Sequence, residues 1–281
     1  MQITKLTGFM GADISGVDLR QGISADLGAA LCDALRTHGV LVLRNQHLSR
    51  ADQKRLTAVF GPAMKLPYVE PMKDDPEVIA VLKEASEVNV GVFGGDWHSD
   101  FSFLENPPAG SVLNAVEIPH VGGDTLWASQ VKAYESLPAD LRAHVEGRKA
   151  VHVGAPYGVK HAPPKDTQSG ASIKMTRGDP AADTERLHPA VITDPVSGAK
   201  ALYLNPIYVT RLDGMSKQAS APVLAALYKH ATKPDFCCRH TWQRGDVAIW
   251  DNRMTMHYAT NDYDGQRRLL YRTTWSGERP A

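Results

Sequence analysis

The chain has 281 residues, 43% hydrophobic and 22% charged, and its 31 basic residues balance its 31 acidic ones. That is ordinary for a globular protein with ample material for a core, and it leaves no basic field to recruit nucleic acid or an anionic membrane. Three cysteines, two of them adjacent, make no disulfide framework, and with no signal-peptide pattern and no apolar run long enough for a bilayer the expected setting is the cytoplasm.

Residues 3–20 are short apolar pieces separated by Gly8, Gly11 and Gly16, read as strands and turns. Ser24 is an expected N-cap for a helix carrying Leu27, Leu31, Ala34 and Leu35 and ending at Gly39. Val40 to Leu43 reads as a buried strand, and Ser49 with Asp52 as a capping box for a second helix ending at Gly61-Pro62. Val78 to Leu82 is an expected strand, followed by a Gly-rich loop over 88–95. Further strands are expected at Ser111 to Val116, Thr125 to Trp127, Val151 to Val153, His188 to Ile192 and Ala201 to Leu204. Tyr134 to Gly147 and Ser220 to Ala231 read as helices, the latter with Pro222 in its first turn.

Residues 154–186 are polar, rich in Gly, Pro, Lys and Asp and without periodicity, an expected lid or mobile insertion. Phe236 to Trp242 is expected to pair with Asp246 to Trp250 across Gln243-Arg244-Gly245, and Arg268 to Trp275 closes the chain as a strand. No repeat or linker divides the sequence, so residues 1–281 are expected to form one domain. The fold class is mainly β with flanking helices, a double-sheet jelly roll.

His98 and Asp100 are two apart in a stretch flanked by Trp97, Phe101 and Phe103. On a strand they would project to one face. An imidazole and a carboxylate side by side are two-thirds of the facial triad that binds non-haem Fe(II), and His257 is the candidate third ligand. By itself an H-x-D pair also fits a hydrogen-bonded pair or a solvated loop. Arg268 and Arg272 are four apart on one strand face, and two inward guanidiniums call for anionic partners such as a carboxylate co-substrate.

These pieces, together with Gly122-Gly123-Asp124-Thr125-Leu126-Trp127 and Trp250-Asp251-Asn252-Arg253, occur in an order that resembles the taurine dioxygenase/TfdA-type Fe(II)- and 2-oxoglutarate-dependent dioxygenases. The resemblance implies a double-stranded β-helix, iron held by His98, Asp100 and His257, and the distal carboxylate of 2-oxoglutarate held by Thr125 and Arg268. It implies Fe(II), 2-oxoglutarate and O2 as the reacting set, with hydroxylation of a small, anionic organic substrate and release of succinate and CO2. It also implies a homo-oligomer, dimer or tetramer.

Arg272 matches an arginine that contacts the sulfonate in the taurine enzyme. That enzyme's substrate-binding His and Asn fall on Leu66 and Gly94 here, swaps that disfavour taurine and favour a more apolar small acid or sulfonate. Tyr68, Phe93, Tyr157 and Tyr208 are further pocket candidates. The competing class is a non-enzymatic jelly-roll metal-binding or sensing protein, since two His and an Asp also hold zinc.

Overall fold

The computed structural model describes residues 1–160 and 171–281. Strands and helices are numbered in chain order. The main sheet has seven strands in the order β1 (Gln2–Lys5), β2 (Ala12–Ser15), β3 (Val40–Leu43), β13 (Val247–Asp251), β5 (Gly110–Glu117), β15 (Arg268–Trp275) and β4 (Ile79–Lys83). Strand β3 and Val247 to Trp250 of β13 read as unbroken apolar runs because both faces are covered. Leu41, Leu43, Val112, Val247 and Ile249 pack outward against helices α1 (Ala25–His38) and α2 (Arg50–Phe60). Val40, Leu113, Ala115, Ala248, Trp250 and Leu270 point inward. Both helices begin as the sequence predicts, with Ser24 accepting from Leu27 N and Ser49 in a reciprocal capping box with Asp52.

The facing sheet is β12 (Cys237–His240), β6 (Thr125–Ser129) and β14 (Thr255–Ala259). Beside it lie the sheets β11 (Val209–Leu212), β7 (Lys149–His152), β8 (Arg186–Pro189) and β10 (Lys200–Leu202), β9 (Val191–Thr193). Helices α3 (Gln130–Glu135), α4 (Ala139–Val145) and α5 (Lys217–Ala231) cover that side through Tyr134, Val145, Leu224 and Leu227. The result is a jelly roll with helices outside both layers. Its inner core includes Trp127, Trp250, Phe101 and Phe103, each contributing about 1.5–3 kcal/mol or more by burial.

Three sequence expectations change. The expected helix over 134–147 is two helices, α3 and α4, because Pro138 lacks the N–H to continue the first and instead caps the second. Helix α5 begins at Lys217 under a Ser216 cap, which leaves Pro222 inside it rather than in the first turn. The expected hairpin between 236–242 and 246–250 is absent: β12 pairs with β6, while β13 has both edges taken by β3 and β5. Strand β11 gave no sequence signal. The part of the expected lid that falls on 161–170 lies outside the described residues, while its flanks pack onto the barrel, with Thr176 N donating to Tyr68 O and Glu70 N to Lys174 O.

Candidate active site

His98 and Asp100 are not on a regular strand. His98 forms a single antiparallel bridge to His257 of β14, exchanging both backbone hydrogen bonds at 3.0 and 2.8 Å. The chain then turns through Asp100 to Phe103, with Phe101 at φ 46°. Asn252, in the turn between β13 and β14, clamps Asp100 from across the barrel. Its Oδ1 accepts from Asp100 N at 2.7 Å and its Nδ2 donates to Asp100 O at 3.0 Å. The same-face arrangement expected of a strand is thus achieved by a bridge, a turn and a side-chain clamp.

The three candidate ligands converge, with one ligand atom from each of His98, Asp100 and His257 lying within 4.8 Å of the others. Asp100 Oδ1 is 3.6 Å from His98 Nε2 and 3.7 Å from His257 Nε2. His98 Nδ1 is 2.7 Å from the Asp96 carbonyl. A carbonyl only accepts, so Nδ1 carries a proton, which leaves Nε2, on the side of Asp100, as the nitrogen to serve as ligand. His257 Nδ1 is buried without a hydrogen-bond partner among the described residues. Burial, then the neighbouring His98, pushes the His257 imidazole well below its ordinary pKa, so it is a neutral ligand at neutral pH. Burial alone would raise Asp100, but Arg272 and the two histidines outweigh it and hold the carboxyl well below the usual range. Two imidazoles and one ionised carboxylate fit Fe(II) with positions left open.

Arg272 and Arg268 enter from β15 on the same face as Leu270. Arg272 Nη2 donates to Asp100 Oδ2 at 2.5 Å and to Ser111 Oγ at 2.9 Å, which leaves Oδ1 directed at the histidines. Arg268 Nε donates to Gly123 O at 2.9 Å, and Nη2 lies 3.5 Å from Thr125 Oγ1. Thr125 Oγ1 also accepts from Trp242 Nε1 at 3.0 Å, so its own proton is free to point into the pocket. Gly123 has φ 72°, and a Cβ there would sit 3.0 Å from Arg268 Cδ. Thr125, Arg268, Arg272, Trp250 and both histidines line one inner pocket, which brings the hydrogen-bond donors and the two imidazoles to the same space.

A second, outer cavity opens over His98 and Asp100, with Phe93, Gly94, Tyr157, Met175, Ile207 and Tyr208 in its walls and Arg177 among its lining residues. Of the expected substrate contacts, Phe93, Gly94 and Tyr208 line it. Arg272 is placed beside Asp100 and the inner pocket instead. Leu66 lines a separate small cavity that touches Arg272, and Tyr68 lies behind the wall, its ring stacked on Tyr157 at 4.9 Å. No local sequence signal marks the roles of Trp242, Met175, Arg177, Ile207 and Asn252. Each acquires its role through a contact distant in sequence.

A jelly roll presenting two histidines and a carboxylate beside an arginine- and threonine-lined pocket defines a 2-oxoglutarate-dependent non-haem iron dioxygenase. The model of the family described as "Taurine catabolism dioxygenase TauD, TfdA family" matches residues 2–274, and the chain belongs to that family. It is 36% identical to an alkylsulfatase of Acinetobacter baylyi over 99% of this chain and 86% of that protein. It is 34% identical to an alpha-ketoglutarate-dependent sulfate ester dioxygenase of Pseudomonas putida, over 100% and 91%. The crystal structure of a taurine dioxygenase from Burkholderia xenovorans superposes with a TM-score of 0.81 at 31% identity, covering 100% of this chain and 92% of that one. The protein is therefore an oxidoreductase that uses Fe(II), 2-oxoglutarate and O2. No helix among the described residues is long and apolar enough to cross a membrane.

Proposed function

We propose that this dioxygenase hydroxylates small alkyl sulfate esters at the carbon bearing the sulfate. The observation that carries the reading is the outer cavity: aromatic and aliphatic walls over His98 and Asp100, with one arginine, Arg177, in the described lining. An apolar chain fits those walls and an anionic head fits the guanidinium. The names of the alkylsulfatase and sulfate ester dioxygenase relatives support the same class. The expectation that disfavours taurine agrees with it, since Leu66 and Gly94 offer no polar side-chain contact.

In this reading His98, Asp100 and His257 hold the iron, and Arg268 with Thr125 binds the distal carboxylate of 2-oxoglutarate. Bound Fe(II) supplies activation of O2 coupled to oxidative decarboxylation of 2-oxoglutarate. Arg272 neutralises Asp100 and fixes which oxygen faces the imidazoles. Phe101, Tyr157 and Tyr208 exclude water from the space above the triad. The described flanks of the 154–186 insertion supply Pro156, Tyr157, Met175 and Arg177 to the cavity, which supports a covering role.

One oxygen atom of O2 enters succinate and the other becomes a hydroxyl on the ester carbon. The α-hydroxy sulfate then collapses, its C–O bond to sulfate breaking as the carbonyl forms. An alkyl sulfate, 2-oxoglutarate and O2 thus give an aldehyde, hydrogensulfate, succinate and CO2. Fe(II) and the unpaired cysteines suit a reducing cytoplasm, and light scattering would report the dimer or tetramer that the resemblance implies. The test is sulfate and succinate release from a panel of alkyl sulfates, taurine and phenoxyacetates. Equal yields of sulfate and succinate from a short or medium alkyl sulfate are expected. Turnover confined to taurine or to phenoxyacetates would overturn the reading.

A further inference from the structure

Asn205 joins two parts of the site that are distant in the chain. Its Oδ1 accepts from the backbone N–H groups of Ile207 and Tyr208 at 3.2 and 3.0 Å. This folds Asn205-Pro206-Ile207-Tyr208 into the turn that places both side chains on the outer cavity wall. Its Nδ2 donates to Ser102 Oγ at 2.8 Å. Ser102 belongs to the turn that begins at Asp100. The same hydroxyl lies 3.0 Å from His152 Nδ1 and makes a second hydrogen bond there. Burial drives the His152 pKa well below the ordinary value, so its imidazole is neutral there. Ser102, His152 and Asn205 are all buried.

The turn they hold is not one the chain would choose unaided. Phe101 sits at φ 46°, a conformation that persists only where surrounding contacts over-determine it. Asn252 fixes its Asp100 end. The bond from Asn205 fixes its Ser102 end, and the same amide fixes the wall turn. We infer that Asn205 and Ser102 are positioning residues whose hydrogen bond sets the carboxylate ligand and the substrate-side wall together. Disturbing the wall through Asn205 therefore displaces Asp100, and cutting the link lets 2-oxoglutarate be consumed without substrate oxidation, the second oxygen atom of O2 leaving as water with two electrons and two protons taken from an added reductant such as ascorbate. This inference takes the outer cavity as the substrate's place and to that extent rests on the proposed function.

The test is a Co(II) titration followed by visible absorption on wild type, Ser102→Ala, Asn205→Ala and the double variant, with the melting transition of each metal-free protein measured alongside. Each single change is expected to weaken Co(II) binding about tenfold and to alter the cobalt spectrum. The double variant should bind Co(II) no worse than the weaker single, within about threefold, because both changes cut one link. Affinity of Ser102→Ala within twofold of wild type, or two losses that multiply, would overturn the inference. Should Asn205→Ala fail to fold, Ser102→Ala decides alone, since it leaves the wall turn's own hydrogen bonds in place. With hexyl sulfate as probe, Ser102→Ala should form more succinate per sulfate than wild type, and an unchanged ratio counts against the inference. Wild type releasing no sulfate from hexyl sulfate would count against the ester reading, while the cobalt titration still decides the link.

Discussion

Replacing Arg268 with Met separates the cost of burying a cation from its value in binding. Arg268 is 3% exposed, and its guanidinium hydrogen-bonds to the Gly123 carbonyl and the Thr125 hydroxyl, both neutral. Burial lowers its pKa, and Tyr263, Asp124 and Asp262 offset this only in part. A buried charge whose hydrogen bonds go to neutral groups costs stability, so Arg268→Met, which keeps most of the aliphatic stem, should melt at or above the wild-type temperature without ligand. With 2-oxoglutarate the order reverses. Losing a charge-assisted contact to a buried carboxylate costs about 2–5 kcal/mol, or roughly 30-fold to several thousand-fold in Kd. The assay is thermal melting of both proteins, anaerobic with Fe(II), across a 2-oxoglutarate titration. Wild type should gain stability as ligand rises and the variant should gain almost none. A variant that binds 2-oxoglutarate within threefold of wild type, or that is several kcal/mol less stable without it, would refute this account of the pocket.

Gly94→Ala should weaken metal binding about tenfold with little effect on the rest of the fold, because Gly94 has φ 80° and a Cβ would lie 3.1 Å from His98 Cε1; a Co(II) titration reads it. Arg177→Ala should raise KM for an alkyl sulfate by roughly tenfold or more while KM for 2-oxoglutarate stays within twofold, since Arg177 lines only the outer cavity of the two. Steady-state succinate release with each substrate varied separately checks that split. Stability of the metal-free protein should fall as pH drops below about 6.5, the ordinary histidine value. His152 is held neutral in the fold, so below that pH the unfolded chain binds a proton the folded one does not. His152→Gln should remove up to one proton, at most about 1.4 kcal/mol per pH unit, from the slope of denaturant stability between about pH 5.5 and 6.5. An unchanged slope would show that His152 is not the group responsible.

What the sequence makes legible is what local chemistry dictates. Ser24 and Ser49 announce their helices because a capping hydroxyl acts within three residues. Val40–Leu43 and Val247–Asp251 read as strands because two covered faces demand unbroken apolar runs. His98, Asp100 and His257 stand out because few residue sets can bind iron. Pairing is less legible: nothing in Cys237–His240 tells it to join Thr125–Ser129 rather than the strand next along the chain, a choice settled when β3 and β5 occupy both edges of β13.

The supports of the site are illegible for the same reason. Asn252 reaches Asp100 across 152 residues and Trp242 reaches Thr125 across 117, and neither contact leaves a local pattern. Arg272 shows the limit of reading by spacing. Its even offset from Arg268 places both inside the barrel, yet the carboxylate that meets it is Asp100 of the same chain.

The most direct test of the account is an anaerobic visible spectrum of the protein with Fe(II) as 2-oxoglutarate is added, for wild type and His257→Ala. A keto acid chelating iron held by His98, Asp100 and His257 should give wild type a charge-transfer band that needs both Fe(II) and 2-oxoglutarate and is lost in the variant. No band in a folded, iron-loaded wild type, or an undiminished band in His257→Ala, would contradict it.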